Sequence, residues 1–355
     1  MLNVGSMPQV DFKLVATSLL NNLLCALAYV VSPSWRQINL ALAKTWILVI
    51  ETRPVLAYSA RYVSDKVIRK APYMKRVVSI QDISCIGKCS NTVALPIISA
   101  MGVECGIIPT AVLSTHTAPG FGQFTFDDLT DQIAPISKHW QDAGIKFDAI
   151  YTGYLGSFEQ LDLMSEFFDV HRSEGALVFV DPAMGDYGKL YPGFTPEFAL
   201  AMGQRVCSKA DVIVPNMTEA AFMLQIPFVE DGDYDEAYVK EVLVKLTELG
   251  APKAVLTGIK LCDDKCGVYG YDSTTGEFFS YFNDYVDVKF HGTGDVFSST
   301  AVGALMNDKP LSEALAIAAD YTVESIKATV ANPDHVWYGV EFETQIPYLL
   351  HRLGK

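Results

Sequence analysis

From Met74 onward, short apolar segments alternate with amphipathic segments of helical period. Leu177–Val180 and Ala254–Leu256 are two of the apolar segments, and Phe158–His171 and Tyr238–Leu249 are two of the amphipathic ones. Strands that are covered on both faces are apolar at every position, and parallel strands need a long, usually helical, crossover between them. The pattern therefore predicts an α/β fold in which a central, mostly parallel sheet is flanked by helices on both faces.

The sequence also predicts where this sheet departs from simple alternation. Val103–Ile108 and Ala111–Leu113 are predicted as two separate strands with no helix between them. Gly267–Tyr271 and Phe278–Tyr281 flank a polar turn and predict a β-hairpin. We see no internal repeat and no Pro/Gly-rich linker after Met74. A single domain over residues 74–355 is the simplest architecture.

The composition limits the kind of partner. The chain has 355 residues, 50% of them apolar and 19% charged, so it can bury a large core. Its net charge of −14 argues against nucleic acid, because an acidic surface repels phosphates. A polyphosphate site in this chain must create its own positive field from backbone N–H groups, lysines or a metal ion. The seven cysteines are an odd number in a long chain, which predicts a reducing, cytoplasmic location.

Residues 1–73 differ from the remainder, since they carry a net charge of +5 and the rest of the chain carries −19. Leu14–Val31 is an apolar run of marginal length for a membrane span. Three interpretations are open: a membrane-surface extension, a pair of helices packed on the main domain, or a segment absent from the mature protein. We favour the last, because Met74-Lys75-Arg76 before a buried strand is typical of a chain start. We do not expect attachment to a membrane.

The stretch 288–299 predicts the end of a strand, a tight turn and the start of a helix. Gly292 and Gly294 allow the backbone to turn sharply and to expose its N–H groups. Free N–H groups at the start of a helix favour an anion. Asp295 follows in the first helical turn. Its carboxylate is either an acid that interacts with the helix dipole or a general base that takes a proton from a hydroxyl attacking a phosphate.

Polar residues follow three further strands, where an α/β fold places its ligands. Asp181 and Asp186 can hold Mg²⁺, directly or through water, or can belong to an ordinary Asp-rich turn. Asn216 and Glu219 are spaced as a capping box at a helix start, and a functional interpretation adds that they face the same metal and phosphates. The hydroxyl of Thr257 suits a phosphate oxygen.

Four residues at the ends of other strands are predicted to line a pocket for a polar aromatic ring. We expect Tyr154 to stack on the ring, and Asp82, His116 and Thr117 to form hydrogen bonds with it. The stretch 116–131 is predicted as a loop that closes over the site and excludes water. Its possible hinges are Gly120 and Gly122.

Six stretches, in this order, resemble the pyridoxal/pyridoxamine kinases of the ribokinase-like superfamily. The resemblance runs from about Met74 to the C-terminus, and residues 1–73 have no counterpart in the family pattern. The Gly-x-Gly-Asp turn alone marks only the wider superfamily. The stretches are Gln81-Asp82 with Gly87 and Asn91, Leu113-Ser114-Thr115-His116-Thr117, Thr152-Gly153-Tyr154-Leu155-Gly156-Ser157, Asp181-Pro182-Ala183-Met184-Gly185-Asp186, Pro215-Asn216-Met217-Thr218-Glu219 and Gly292-Thr293-Gly294-Asp295.

The resemblance implies an enzyme, usually a homodimer, that uses MgATP to phosphorylate the 5′-hydroxymethyl group of pyridoxal, pyridoxamine or pyridoxine. It leaves open whether a monovalent cation such as K⁺ is needed. Asp295 resembles the base, and the turn at Gly292, Thr293 and Gly294 resembles the anion hole. The other implied roles are magnesium and phosphate binding by Asp181, Asp186 and Glu219, ATP binding by Asn216, Glu219, Thr257, Gly258 and Asp181, and binding of the pyridine ring by Asp82, Thr117 and Tyr154, with His116 beside them.

Two positions depart from the family pattern. The family often has serine where this chain has Asp82, and a carboxylate can pair with a protonated ring nitrogen or an amine. Relatives can carry a hydroxyl where this chain has Gly258. Three alternatives stay open: a hydroxymethylpyrimidine kinase of thiamine synthesis, which shares the catalytic turn and uses a similar heteroaromatic alcohol, a non-catalytic sensor that binds B6 or a nucleotide, and a membrane-attached partner protein.

Overall fold

A nine-stranded sheet with helices on both faces organises the chain in the computed structural model, which describes residues 74–355. The strands of this sheet are β1 (Arg76–Ser84), β2 (Glu104–Leu113), β3 (Phe126–Asp128), β4 (Phe147–Thr152), β5 (Arg172–Val180), β8 (Val212–Ile213), β9 (Lys253–Cys262), β10 (Lys265–Asp272) and β11 (Glu277–Asp284), and a separate two-stranded hairpin consists of β6 (Gly185–Asp186) and β7 (Lys189–Leu190).

Helices lie in the connections between the parallel strands, as the alternating pattern predicts. Three short 3₁₀ turns, at Pro119–Phe121, Cys207–Lys209 and Phe342–Gln345, complete the regular structure of the described residues. The α-helices are α1 (Asn91–Ala100), α2 (Thr130–Asp142), α3 (Phe158–His171), α4 (Pro196–Arg205), α5 (Met217–Leu224), α6 (Glu236–Thr247), α7 (Thr293–Met306), α8 (Leu311–Ala331) and α9 (Ile346–Leu353).

The order of the strands is β11-β10-β9-β8-β5-β4-β1-β2-β3. The six strands from β9 to β2 pair in parallel, whereas β3, β10 and β11 pair antiparallel at the two edges. Successive residues of the central strands enter different apolar clusters: Val78 and Ile150 pack in one cluster, and Val77 and Tyr151 in another. Both faces of the sheet are therefore buried, and the predicted fold class is confirmed.

The edge around β2 differs from the prediction. β2 is one continuous strand through Pro109, not two strands, and its pairing with β1 shifts register between Gln81 and Ile83. The irregularity begins at the pair of Gln81 with Pro109, which has no N–H group to donate. The predicted loop 116–131 contains a 3₁₀ turn and the short strand β3, and α2 already begins at Thr130. All three residues of β3 are exposed, so no apolar alternation marks this strand in the sequence.

The parallel strands bring the polar strand ends to one edge of the sheet. The N–H of Gly153 donates to the carbonyl of Ile80 at 3.1 Å, and the N–H of Asp181 donates to the carbonyl of Thr152 at 2.9 Å. Beyond β8 and β9, Asn216 and Thr257 form a parallel bridge. Segments distant in sequence thus meet where ligands bind in open α/β sheets.

Residues 74–355 form one compact unit, and the interpretations of residues 1–73 lie outside the described residues. In the described part, no helix combines the length and the apolar character that a membrane span requires.

We expect a chain that begins at Met74 to fold by itself, because residues 74–355 contain all of the packed sheet and its apolar clusters. Purified protein of residues 74–355 should show a single cooperative thermal transition by circular dichroism. An aggregated product, or a product without such a transition, would contradict the assignment of 74–355 as an independent domain.

Candidate active site

The turn before α7 holds its backbone close to a neighbouring loop. Gly292 has φ 79°, and a Cβ atom added to it would lie 1.9 Å from the carbonyl oxygen of Lys88. Only glycine fits this position. Gly294 faces open space, since an added Cβ would meet no atom within 4 Å. Thr293 begins the helix, so the first N–H groups of α7 are available at this turn for an anion.

Asp295 lies in the first turn of α7 and is crowded by other acids. Asp295 as a whole is partly exposed to solvent. Its carboxyl group is buried, and burial is the largest influence on the pKa of this group. Burial, Asp181 and Asp82 together raise the pKa of Asp295 to about 8, against a smaller opposing hydrogen bond from the backbone N–H of Ser90. A carboxyl with a pKa near neutrality is suited to general-base catalysis.

Two further acids lie near Asp295: Asp181 acts on Asp295, and Glu219 is next to Asp181. Both are buried, and Ser298 donates its hydroxyl proton to Oδ2 of Asp181 at 2.6 Å. Burial raises the pKa of Asp181 to about 6, and burial together with Asp181 raises the pKa of Glu219 well above its usual value. Within the described residues, no ion pair includes Asp181, Glu219 or Asp295. Two buried acids without a basic partner favour a cation.

The donor set fits a magnesium ion that is shared with phosphate. Among residues 74–355, no three His, Cys, Asp or Glu side chains are arranged to hold a metal ion by themselves. Mg²⁺ usually takes one or two carboxylates and completes its shell with water and substrate phosphates, and Asp181 and Glu219 are carboxylates of this kind. Asp186 lies in the β6–β7 hairpin, where burial raises its pKa and Lys289 and His291 oppose that rise. Its assignment as a metal ligand stays a prediction.

The helix-capping interpretation of Asn216 and Glu219 is confirmed. Oδ1 of Asn216 accepts from the N–H of Glu219 at 3.0 Å, and Oε2 of Glu219 accepts from the N–H of Asn216 at 2.9 Å. Glu219 also accepts from the N–H of Met184 at 3.0 Å. Thr257 is half-buried beside this cap, and Gly258 is exposed. Because Glu219 also faces Asp181, the cap and the acidic pair share one side chain.

Asp82 lies close to Asp295, and Tyr154 lies close to Asp82. Asp82 is buried and accepts hydrogen bonds from the hydroxyls of Ser84, at 2.8 Å, and Ser90. Burial raises the pKa of Tyr154 to about 12, with a contribution from Asp82. The structure thus brings Asp82 and Tyr154 close together, and their contacts with a substrate ring stay predictions.

His116 and Thr117 are less clearly directed at a ligand. Nδ1 of His116 accepts from the N–H of Ala118 at 3.0 Å, so the ring is neutral and Nε2 donates to the carbonyl oxygen of Tyr338, also at 3.0 Å. Both ring nitrogens therefore bond to backbone. The ring packs against Phe121, His291 and Trp337, and Thr117 is exposed. The predicted ligand contacts of His116 and Thr117 stay predictions.

Three residues of the site carry no recognisable sequence signal. Ser298 bonds to Asp181, and Ser90 bonds to Asp82 and lies close enough to Asp295 to oppose the rise in its pKa. Tyr191 lies among the site acids, because Glu219, Asp186, Asp295 and Asp181 all help burial to raise its pKa. Serine and tyrosine in such positions are common in ordinary helices and turns, so only the spatial arrangement identifies them.

Known proteins share this architecture. The model of the family described as phosphomethylpyrimidine kinase matches residues 97–337. A candidate phosphomethylpyrimidine kinase from Bacteroides thetaiotaomicron VPI-5482, solved in an orthorhombic form with pyridoxal, is 35% identical with a TM-score of 0.73, and the match covers 79% of this chain and 96% of that one.

Two further relatives are named as pyridoxal kinases. The pyridoxal kinase from Lactobacillus plantarum is 29% identical with a TM-score of 0.71, over 78% of this chain and 97% of that one. The pyridoxal kinase of Arabidopsis thaliana is 28% identical over 237 residues, which are 64% of this chain and 73% of the relative. These similarities confirm the resemblance that the six sequence stretches indicate.

We expect Gly292→Ala to lower the free energy of unfolding by about 1–3 kcal/mol, because the added methyl group meets the carbonyl of Lys88 and φ is positive. Gly294→Ala is the matched control for stability, since its methyl group points into open space. Urea unfolding of both variants measures the difference. Equal stability of the two would contradict the tight packing of the turn on Lys88.

We expect Asp295→Asn to stabilise the protein at pH 8 by roughly 1–3 kcal/mol. The folded pKa of about 8 lies above the unfolded value, so wild-type stability falls as pH rises from about 4 to 8, and the variant escapes this loss. Urea unfolding at pH 4.5, 6 and 8 measures the effect, with the exposed Asp162→Asn as the control. If the difference in unfolding free energy between Asp295→Asn and the wild type does not grow with pH, the pKa of Asp295 is not raised in the folded protein.

Proposed function

Because this chain belongs to the phosphomethylpyrimidine kinase family, we propose that it phosphorylates the 5′-hydroxymethyl group of pyridoxal, pyridoxamine or pyridoxine with ATP. The observation that carries the proposal is the position of Asp295. This carboxyl lies at a turn with free N–H groups and is close to Asp82 and Asp181, which in turn lie close to Tyr154 and Glu219. The pyridoxal complex of the Bacteroides protein and the pyridoxal kinase relatives support the choice of substrate.

The proposed reaction needs little covalent chemistry from the protein. Asp295 accepts the proton of the substrate hydroxyl while the hydroxyl oxygen attacks the γ-phosphorus of ATP, and ADP leaves. The N–H groups of the turn at Gly292, Thr293 and Gly294 bind the transferring phosphoryl group. Asp82 and Tyr154 hold the ring so that its hydroxymethyl group faces Asp295.

Asp181 and Glu219 would hold Mg²⁺, which neutralises phosphate charge when it is bound. Asn216 and Thr257, which bridge the ends of two neighbouring strands, would contact ATP beside it, together with Gly258. We propose Asp186 as an outer ligand, through water. A monovalent cation, a homodimer and a cytoplasmic location complete the proposal; they rest on the family resemblance, the acidic surface and the cysteine content.

A hydroxymethylpyrimidine kinase is the second candidate, because the matching family model carries a phosphomethylpyrimidine kinase description. The two substrates are both heteroaromatic alcohols, and a buried carboxylate at Asp82 suits a protonated ring nitrogen in either. A non-catalytic sensor is less well supported, since it would not require a base of raised pKa beside an anion-binding turn.

We expect Asp295→Asn to lower turnover of the preferred B6 vitamer by about 10²–10⁴-fold, because the amide cannot accept the hydroxyl proton. A coupled assay of ADP release with pyridoxal, pyridoxamine, pyridoxine and hydroxymethylpyrimidine measures this and ranks the substrates. The exposed Asp162→Asn serves as a remote carboxylate control. Near-normal turnover of Asp295→Asn would remove Asp295 from the role of base, and turnover of hydroxymethylpyrimidine alone would favour the second candidate.

A further inference from the structure

The loop between β1 and α1 contains a strained serine. Ser90 is buried and precedes α1 with φ 51° and ψ −135°. A serine rarely adopts a positive φ, and with this ψ it lies outside the left-handed helical region as well. Such a conformation persists only where surrounding contacts hold it, and such residues concentrate at functional sites.

Two contacts of Ser90 reach the two halves of the proposed reaction. Its hydroxyl donates to Oδ1 of Asp82, in the ring pocket. Its backbone N–H lies close enough to the carboxyl of Asp295, the proposed base, to oppose the rise in the pKa of that carboxyl. One residue therefore connects the side chain that faces the substrate ring with the side chain that faces the substrate hydroxyl.

The same loop also fixes the anion-binding turn. The carbonyl oxygen of Lys88 lies where a Cβ of Gly292 would be, and Nζ of Lys88 pairs with Glu343 at 2.6 Å. The loop is thus held from the side of α7 as well as from Asp82. A change in the backbone at Ser90 would reach Asp295 because the same loop packs, through Lys88, against Gly292 at the start of the helix that carries Asp295.

Ser84 provides an internal comparison. It is buried, and its hydroxyl donates to the other oxygen of Asp82 at 2.8 Å. It lies within β1 in an ordinary strand, and no contact of Ser84 with Asp295 is seen in residues 74–355. The two serines therefore share Asp82 and differ in the link to the base.

We propose that Ser90 is a positioning residue, held by Asp82 through its hydroxyl, whose backbone N–H aims the carboxylate of Asp295 at the substrate hydroxyl. This inference rests on the proposed kinase function. It makes alignment of the base depend on Asp82, so that the ring pocket and the base form one unit. Loss of the hydroxyl releases the strained backbone, and the base loses its support.

The test measures kcat and KM for pyridoxal in the full chain. We expect Ser90→Ala to lower kcat by about 10–100-fold, since small misplacement of a reacting group has effects of this size. Ser90→Gly accepts the backbone conformation without the hydroxyl, and its kcat should fall as well. Ser84→Ala should act on KM for pyridoxal rather than on kcat. In an Asp295→Asn background, Ser90→Ala should cause no further loss beyond about twofold.

The last comparison separates positioning from a general structural role. A structural defect would lower kcat by the same factor with or without Asp295, and that result would overturn the inference. Wild-type kcat in Ser90→Gly would show that Asp82 does not act through the hydroxyl and would also overturn it. The thermal transition shows whether each variant folds. If Ser90→Ala does not fold, the kcat of Ser90→Gly provides the test instead. The proposed function fails separately, if the wild-type protein phosphorylates none of the vitamers.

Discussion

Repulsion among buried carboxylates is the constraint on which the rest of the site depends. Asp82, Asp181 and Asp295 each lose water on folding, and the first two each raise the pKa of the third. Glu219 adds a fourth acid, next to Asp181. A fold that only had to be stable would not collect these groups, because each buried charge costs free energy when it has no cationic partner. The cluster is explained if a cation and a proton-bearing substrate bind there.

The sheet produces this cluster through its topology. Asp82, Asp181 and Asn216 belong to or follow β1, β5 and β8, so parallel pairing brings them to one edge. Asp295 comes from α7, which packs beside α1 and α8 on one face of the sheet. Gly292 allows the turn before α7 to approach the loop at Lys88 closely, and Ser90 in that loop has a strained backbone conformation. The buried acids and the strained backbone are unfavourable by themselves, and the stability of the apolar clusters offsets their cost.

Much of this could be predicted from the sequence. The fully apolar strands identify the parallel sheet, and the polar residues after them identify the edge that holds the site. Asn216 and Glu219 are identifiable because a capping box is local, with its partners three residues apart. β3 and the continuity of β2 were not predictable, since an exposed strand has no apolar pattern and Pro109 suggests a break. Ser90 and Ser298 were not found because their partners, Asp295 and Asp181, are distant in sequence.

The most direct test of this account is the titration of the Asp295 carboxyl, followed by ¹³C NMR in the protein without ligands and assigned with Asp295→Asn. The account predicts a midpoint of about 8. It also predicts a lower midpoint in Asp181→Asn, because that substitution removes a like charge. A midpoint near the ordinary aspartate value of about 4 would contradict it, since Asp295 would then be neither buried nor crowded by the other acids.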